Sequence, residues 1–269
     1  MSLRVDPPRR TLKERLRKIF GPIITGIVLV FTKLKLILLP LLKFLPVLLK
    51  TGGTMILTIG VYAFSMGWRF ALGFVALIFV HECGHLIVAK KFGLKVGAPM
   101  FIPFMGAFIA LKDAPRDAWM EACVGIGGPL LGTLAAAACF GLYGLAGNPL
   151  FMALAYSGFL LNLFNLVPIG FLDGGRIATA LSPWLWVIGV VIMGAVAWLH
   201  PNLIVILVLV ASLPRLLSLF RARTDAERRY FEIAPRLRAT MAVFYFGLIA
   251  VLVYGMHASS DILHHHIQG

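Results

Sequence analysis

The stretch His81-Glu82-Cys83-Gly84-His85 holds the densest chemistry in the sequence. On an α-helix, residues four apart are separated by about 40° of rotation and stand one above the other. Both imidazoles can therefore reach one zinc ion, at nitrogen–metal distances of about 2.0–2.1 Å. Glu82 directly follows the first histidine, so its carboxylate can face an attacking water rather than the metal, as a general base does. Two packed histidines beside a fortuitous glutamate would give the same letters. Inside the apolar run 70–89 that alternative is poor, because three ionisable side chains share one segment.

Acids are scarce, which makes each informative. Of 11 acidic residues, Asp6, Glu14, Asp113, Asp117, Asp225, Glu227, Glu232 and Asp261 fall in expected loops or ends. Glu121 is expected one turn into a span, near enough to the surface for solvent to explain it. Glu82 and Asp173 remain deep in apolar surroundings, where a charge at a helix centre costs about 2.5–3.5 kcal/mol or more. A metal with histidine ligands offsets that cost. A tetrahedral catalytic site needs a third protein ligand and an open position, and elimination nominates Asp173. It lies in a stretch interrupted by Pro168, Gly174 and Gly175. Such a break is tolerated at membrane depth only where protein or a water cavity satisfies the backbone. An acid capping a helix after a loop is the plainer reading of Asp173 taken alone.

The elements that must position these residues are membrane helices. The 269 residues are 60% hydrophobic and only 13% charged, with mean hydropathy +0.92, too apolar for a soluble domain of this size. The fold expected is an all-α polytopic membrane protein of about seven spans (six to eight), at 52–67, 70–91, 118–145, 149–180 (broken near Pro168), 184–199, 201–220 and 239–257. Residues 92–116 hold too many Gly and Pro to span. Their β-favouring Met100-Phe101-Ile102 and Phe108-Ile109 around Gly106 suggest a hairpin over 96–111. Three regions result: 1–50, a basic arm and an interfacial or re-entrant apolar segment; 51–180, the catalytic core; 181–269, accessory helices with a basic loop 221–238.

The net charge of +14 does not indicate nucleic acid. Basic residues cluster at 4–18, 90–95 and 215–238, beside apolar runs, where they set topology and meet anionic lipids. With those clusters inside, the N-terminus is expected to be cytoplasmic, the site to open toward the cytoplasm, and the tail 259–269 to lie outside. Cys83, Cys123 and Cys139 have no paired spacing and read as packing residues. His200, His257 and the tail run His264, His265 and His266 are assigned no part in the site.

The two motifs together resemble the site-2 protease family of intramembrane metalloproteases. The resemblance rests on His-Glu-Cys-Gly-His, on Asn165…Pro168…Leu172-Asp173-Gly174-Gly175, and on Gly-Gly-Pro-Leu-Leu-Gly at 127–132. It covers about residues 70–180 and suggests a minimal member without PDZ or CBS domains. It implies a three-helix core holding one zinc ion, with His81, His85 and Asp173 as ligands and Glu82 as base. It also implies that Asn165 polarises the scissile carbonyl; the nearby Asn162 does not match. The 96–111 hairpin would be membrane-re-entrant and would bind an unwound transmembrane segment of the substrate by strand addition. Gly128 and Gly132 read first as small residues for close helix packing.

Two other readings stay open. A prenyl-protein protease uses the same histidine motif with a later glutamate, but Glu227 and Glu232 lie in a basic loop. A zinc-binding transporter or inactive scaffold would have no need of Glu82 as a base.

Overall fold

The computed structural model describes residues 50–268 apart from 105, with side chains as far as His264. The expectations for the arm 1–19 and for most of the 20–50 segment therefore lie outside the described residues. The described residues are mostly helical, with one small hairpin among them.

Helix α1 covers residues 50–66. Gly67, at φ +79°, breaks the chain and starts α2, Trp68–Lys91. Lys90 and Lys91 fill its last turn, where the helix dipole favours positive charge. Strands β1 (Met100–Ile102) and β2 (Gly106–Phe108) pair antiparallel, with a further bridge between Val96 and Leu111. The hairpin thus falls where glycine, proline and β-favouring residues placed it. Helix α1 pins it: the Phe101 amide donates to Thr54 Oγ1 (3.2 Å) and the Phe104 amide to Tyr62 Oη (3.0 Å).

Helix α3, Ala118–Ala146, starts at Asp117, whose side chain accepts from the Met120 amide, and ends at Gly147 in the left-handed conformation. Asn148 caps α4, Pro149–Asn165. Residues 166–172 then run without regular helix as far as α5, Asp173–Leu181, so the break expected near Pro168 is present. Helices α6 (Leu185–Leu199) and α7 (Leu203–Leu217) follow. A 3-10 turn (Ser218–Phe220) and a short α8 (Asp225–Tyr230, with a Thr224/Glu227 capping box) lead to α9, Pro235–Gln268.

Among the described residues, four helical segments are long and apolar enough to cross a membrane: Trp68–Lys91, Ala118–Ala146, Leu203–Phe220 and Pro235–His264. Pro149–Asn165 and Leu185–Leu199 are apolar but shorter. Large apolar side chains such as Phe64, Leu145 and Trp198 are almost fully exposed, a surface suited to lipid rather than water. Two helix boundaries differ from the bounds of the expected spans. The helix expected at 239 begins at Pro235, since proline is well placed in a first turn. The tail from Ser259, expected beyond the last span, continues α9 to Gln268, because it contains no proline and its polar residues are tolerated in an exposed helix.

Helix α3 is the centre of the core, packing against α2, α4, α5 and α9. Its contact with α2 is a backbone-to-backbone approach: a Cβ on Gly84 would lie 2.1 Å from the Gly127 carbonyl oxygen. Replacing Gly84 by alanine should force the two helices apart and lower stability by about 1–3 kcal/mol. Thermal unfolding in detergent, run with a chelator to remove any contribution of metal, measures that loss.

Candidate metal centre

Helix α2 presents His81 and His85 on the face that meets α3 and α4, and α5 brings Asp173 to them in its first turn. All three are buried, with 3%, 7% and 7% of their surface exposed. His81 Nε2 lies 3.1 Å from Asp173 Oδ2 and 3.1 Å from His85 Nε2, and His85 Nε2 lies 3.2 Å from Asp173 Oδ2. The edge of a tetrahedron with metal–ligand arms of 2.0–2.1 Å is about 3.3–3.4 Å. The three donor atoms are therefore spaced to share one ion, and among the described residues this is the one such group of His, Cys, Asp and Glu.

The other ring nitrogens fix what these atoms offer. His85 Nδ1 lies 2.7 Å from the Val124 carbonyl oxygen, which can only accept, so Nδ1 carries the proton. His81 Nδ1 lies 2.7 Å from Asn162 Oδ1, while Asn162 Nδ2 donates to the Gly158 carbonyl at 2.7 Å. That orients the amide oxygen toward His81, so this Nδ1 is a donor too. Both Nε2 lone pairs then point at a carboxylate oxygen. With both rings neutral, these are three acceptors within 3.2 Å of each other, and they repel unless a proton or a metal cation lies between them. Two imidazoles and a carboxylate are a donor set that suits zinc. The residues present fit the metal.

Space for an ion depends on glycine. A Cβ on Gly128 would lie 2.2 Å from His85 Nε2 and 2.8 Å from His81 Nε2, and one on Gly132 would lie 2.2 Å from Asn162 Oδ1. The run at 127–132 does more than pack helices. Gly127 meets Gly84, Gly128 clears the donor atoms, and Gly132 clears the amide that orients His81.

Glu82 is buried at 5% exposure in the same turn as His81, and among the described residues no hydrogen bond engages its carboxylate. Asn165 ends α4, half-buried, three residues beyond Asn162. Asn162, set aside in the sequence, is the asparagine that contacts a histidine of the cluster. Its signal was position: 162 sits three residues, nearly one turn, before 165 and thus near the same face. Glu121 is a correction as well. It is buried at 7% exposure, bonded by Arg215 Nη2 and by the Tyr230 hydroxyl at 2.7 Å, where the sequence suggested solvent. His200 and His257 lie outside the cluster, the latter 3.4 Å from Asp261. The three cysteines are free and partly buried.

Comparison with known proteins agrees with the chemistry. Residues 69–151 match the model of peptidase family M50, a match that includes His81, Glu82, His85 and the 127–132 run and stops short of Asn162 and Asp173. The chain is 35% identical over 125 residues to a zinc metalloprotease of Methanocaldococcus jannaschii, covering 44% of this chain and 35% of that protein. It is 28% identical over 303 aligned positions to the probable chloroplastic zinc metalloprotease EGY2 of Oryza sativa, covering 92% of this chain and 52% of the relative. The EGY2 protein of Arabidopsis thaliana is 30% identical over 146 residues, 37% of this chain and 26% of the relative. The chain thus spans about half or less of the length of these relatives.

Two substitutions test the geometry. Asn162→Leu removes the acceptor that orients His81 and should weaken zinc binding by about 10–100-fold. Gly128→Ala places a methyl group among the donors and should prevent binding altogether. Competition against a fluorescent zinc chelator reads both.

Proposed function

We propose that this chain, which shares the peptidase family M50 segment over residues 69–151, is an intramembrane zinc metalloprotease. It would hydrolyse peptide bonds in or beside transmembrane helices of membrane-protein substrates, in regulated intramembrane proteolysis. The observation that carries this reading is the convergence of His81, His85 and Asp173 donor atoms in a buried helical core, with the Glu82 carboxylate uncommitted beside them.

His81, His85 and Asp173 would hold a zinc ion, which would supply Lewis acidity toward a carbonyl and toward water. Glu82 moves the proton. It takes one from the attacking water as the new C–O bond forms, and passes it to the nitrogen as the C–N bond breaks. Burial keeps Glu82 away from competing bulk water. Asn165 is the residue proposed to hold the scissile carbonyl.

A helical substrate hides its carbonyls in bonds to amides four residues ahead, so it must unwind before it is cut. The two-stranded sheet leaves the outer edge of β2 without a strand partner, whereas on β1 the Phe101 amide is taken by Thr54 of α1. Pairing to such an edge would re-satisfy the released backbone. The remaining assignments complete the proposal: about seven spans, with the shorter apolar helices included; a cytoplasmic N-terminus; a site that opens to the cytoplasmic side; and basic loops against anionic lipid. Residues 51–180 would form the catalytic core and 181–269 the accessory helices.

Glu82→Gln should keep bound zinc while lowering cleavage of a transmembrane substrate by about 10²–10⁴-fold. Undiminished cleavage by this variant excludes the mechanism. Zinc bound without cleavage of any substrate by the unaltered protein would point to a scaffold instead. Substrates with Gly or Pro near the cut bond should be cleaved faster than those with stabilised helices, as gel assays of matched pairs will show.

A further inference from the structure

The residue that ties the metal centre to the accessory helices is Arg215, in the last turn of α7. Its Nη1 donates to the Gly175 carbonyl at 3.1 Å and to the Gly170 carbonyl at 3.3 Å, and its Nη2 donates to Glu121 at 2.5 Å. The guanidinium lies over the Trp186 ring of α6, 5.4 Å from its centroid. Trp186 Nε1 donates to the same Gly175 carbonyl at 2.9 Å. Glu121 takes its second bond from Tyr230. Burial and the adjacent Glu121 charge raise the Tyr230 phenol above its ordinary value, which keeps it a donor.

Gly170 and Gly175 bracket Asp173. The first stands three residues before it, at φ +51°, and the second two residues after it, in the first turn of α5. Among the described residues no backbone hydrogen bond ties Asp173 to α2 or α3; α5 packs on α3, and the placement of the carboxylate depends on that packing and on this turn. Glycines leave the turn little stiffness of its own. They also let it be gripped closely: a Cβ on Gly174 would lie 2.1 Å from the Leu166 carbonyl oxygen, and one on Gly170 would lie 2.2 Å from Ser212 Oγ of α7. A planar guanidinium can span two carbonyls and a carboxylate at once, which a lysine ammonium cannot do in the same geometry. Glu121 holds the fork in place from the far side, and Arg215 and Tyr230 in turn offset the cost of its burial.

We propose that Arg215, oriented by Glu121, is a positioning residue for the third metal ligand, fixing the Gly170–Gly175 turn so that Asp173 meets the histidines already aligned. This rests on the reading of His81, His85 and Asp173 as the zinc site. The accessory helices then take part in building the centre.

The test is zinc affinity of the full-length protein in detergent, by chelator competition, for the unaltered chain, Arg215→Ala, Arg215→Lys, Glu121→Gln, Asp173→Asn and Arg215→Ala with Asp173→Asn. Arg215→Ala should weaken binding about 10–100-fold, Arg215→Lys should recover only part of that, and Glu121→Gln should lose less than Arg215→Ala. In the Asp173→Asn background, Arg215→Ala should add almost nothing, since it acts through the missing ligand. Hydrogen exchange of the metal-free Arg215→Lys protein, the gentler variant, should be faster over residues 171–176 and unchanged in α2. Unaltered zinc affinity in Arg215→Lys and Arg215→Ala, full additivity with Asp173→Asn, or exchange raised evenly through all helices would overturn the inference. If Asp173→Asn itself keeps the affinity of the unaltered chain, the zinc-site reading fails first, and that outcome is distinct from the others.

Discussion

Three lone pairs pointing at one another in an apolar interior are the constraint from which the rest of the architecture follows. His81 and His85 have their Nδ1 protons committed to Asn162 and Val124, so their Nε2 atoms face Asp173 as acceptors. Without a cation this is a repulsive arrangement in a medium that screens poorly. With one, all three donors gain a metal bond. The surrounding helices have to bring the donors together and still leave room for an ion, which explains the glycines. Gly84 and Gly127 let two helix backbones touch, and Gly128 keeps a side chain out of the ion's place.

The third donor poses a different problem from the first two. His81 and His85 share one helix, whose pitch sets their spacing. Asp173 comes from the far side of a broken segment, and a broken segment needs external support. Several elements supply it. Tyr245 of α9 donates to the Leu166 carbonyl at 2.6 Å, Trp186 of α6 and Arg215 of α7 hold Gly175, and Gly189 of α6 lets that helix lie against Pro168. Unpaired carbonyls, which apolar surroundings penalise, are used here as handles. On the proposal made for Arg215, helices that carry no donor atom bear on how well Asp173 is placed.

Much of this was legible in the sequence because it depends on local periodicity and on the expense of charge in apolar runs. His81, Glu82 and His85 follow from helix pitch, Asp173 from the cost of burying an acid, and the hairpin and the Pro168 break from glycine and proline. What was not legible depends on which faces meet. Asn162 reads as one more helix residue until α4 is packed beside α2. Glu121 looks solvated because it is near a helix start, and only the fold reveals Arg215, ninety-four positions away, at its side. The glycines at 127–132 advertise close packing but not what they approach. The last helix outran its expected end because nothing in its polar tail forbids helix.

The donor geometry calls for one zinc ion held by two histidines of α2 and the carboxylate of α5. X-ray absorption at the zinc edge tests it most directly, on purified protein whose His264, His265 and His266 are replaced by alanine. The prediction is four-coordinate zinc with two imidazole nitrogens and oxygen ligands, at about 2.0–2.1 Å, and an altered first shell in Asp173→Asn. A sulfur scatterer near 2.3 Å, a site with no imidazole signature, or a spectrum unchanged by Asp173→Asn would contradict it.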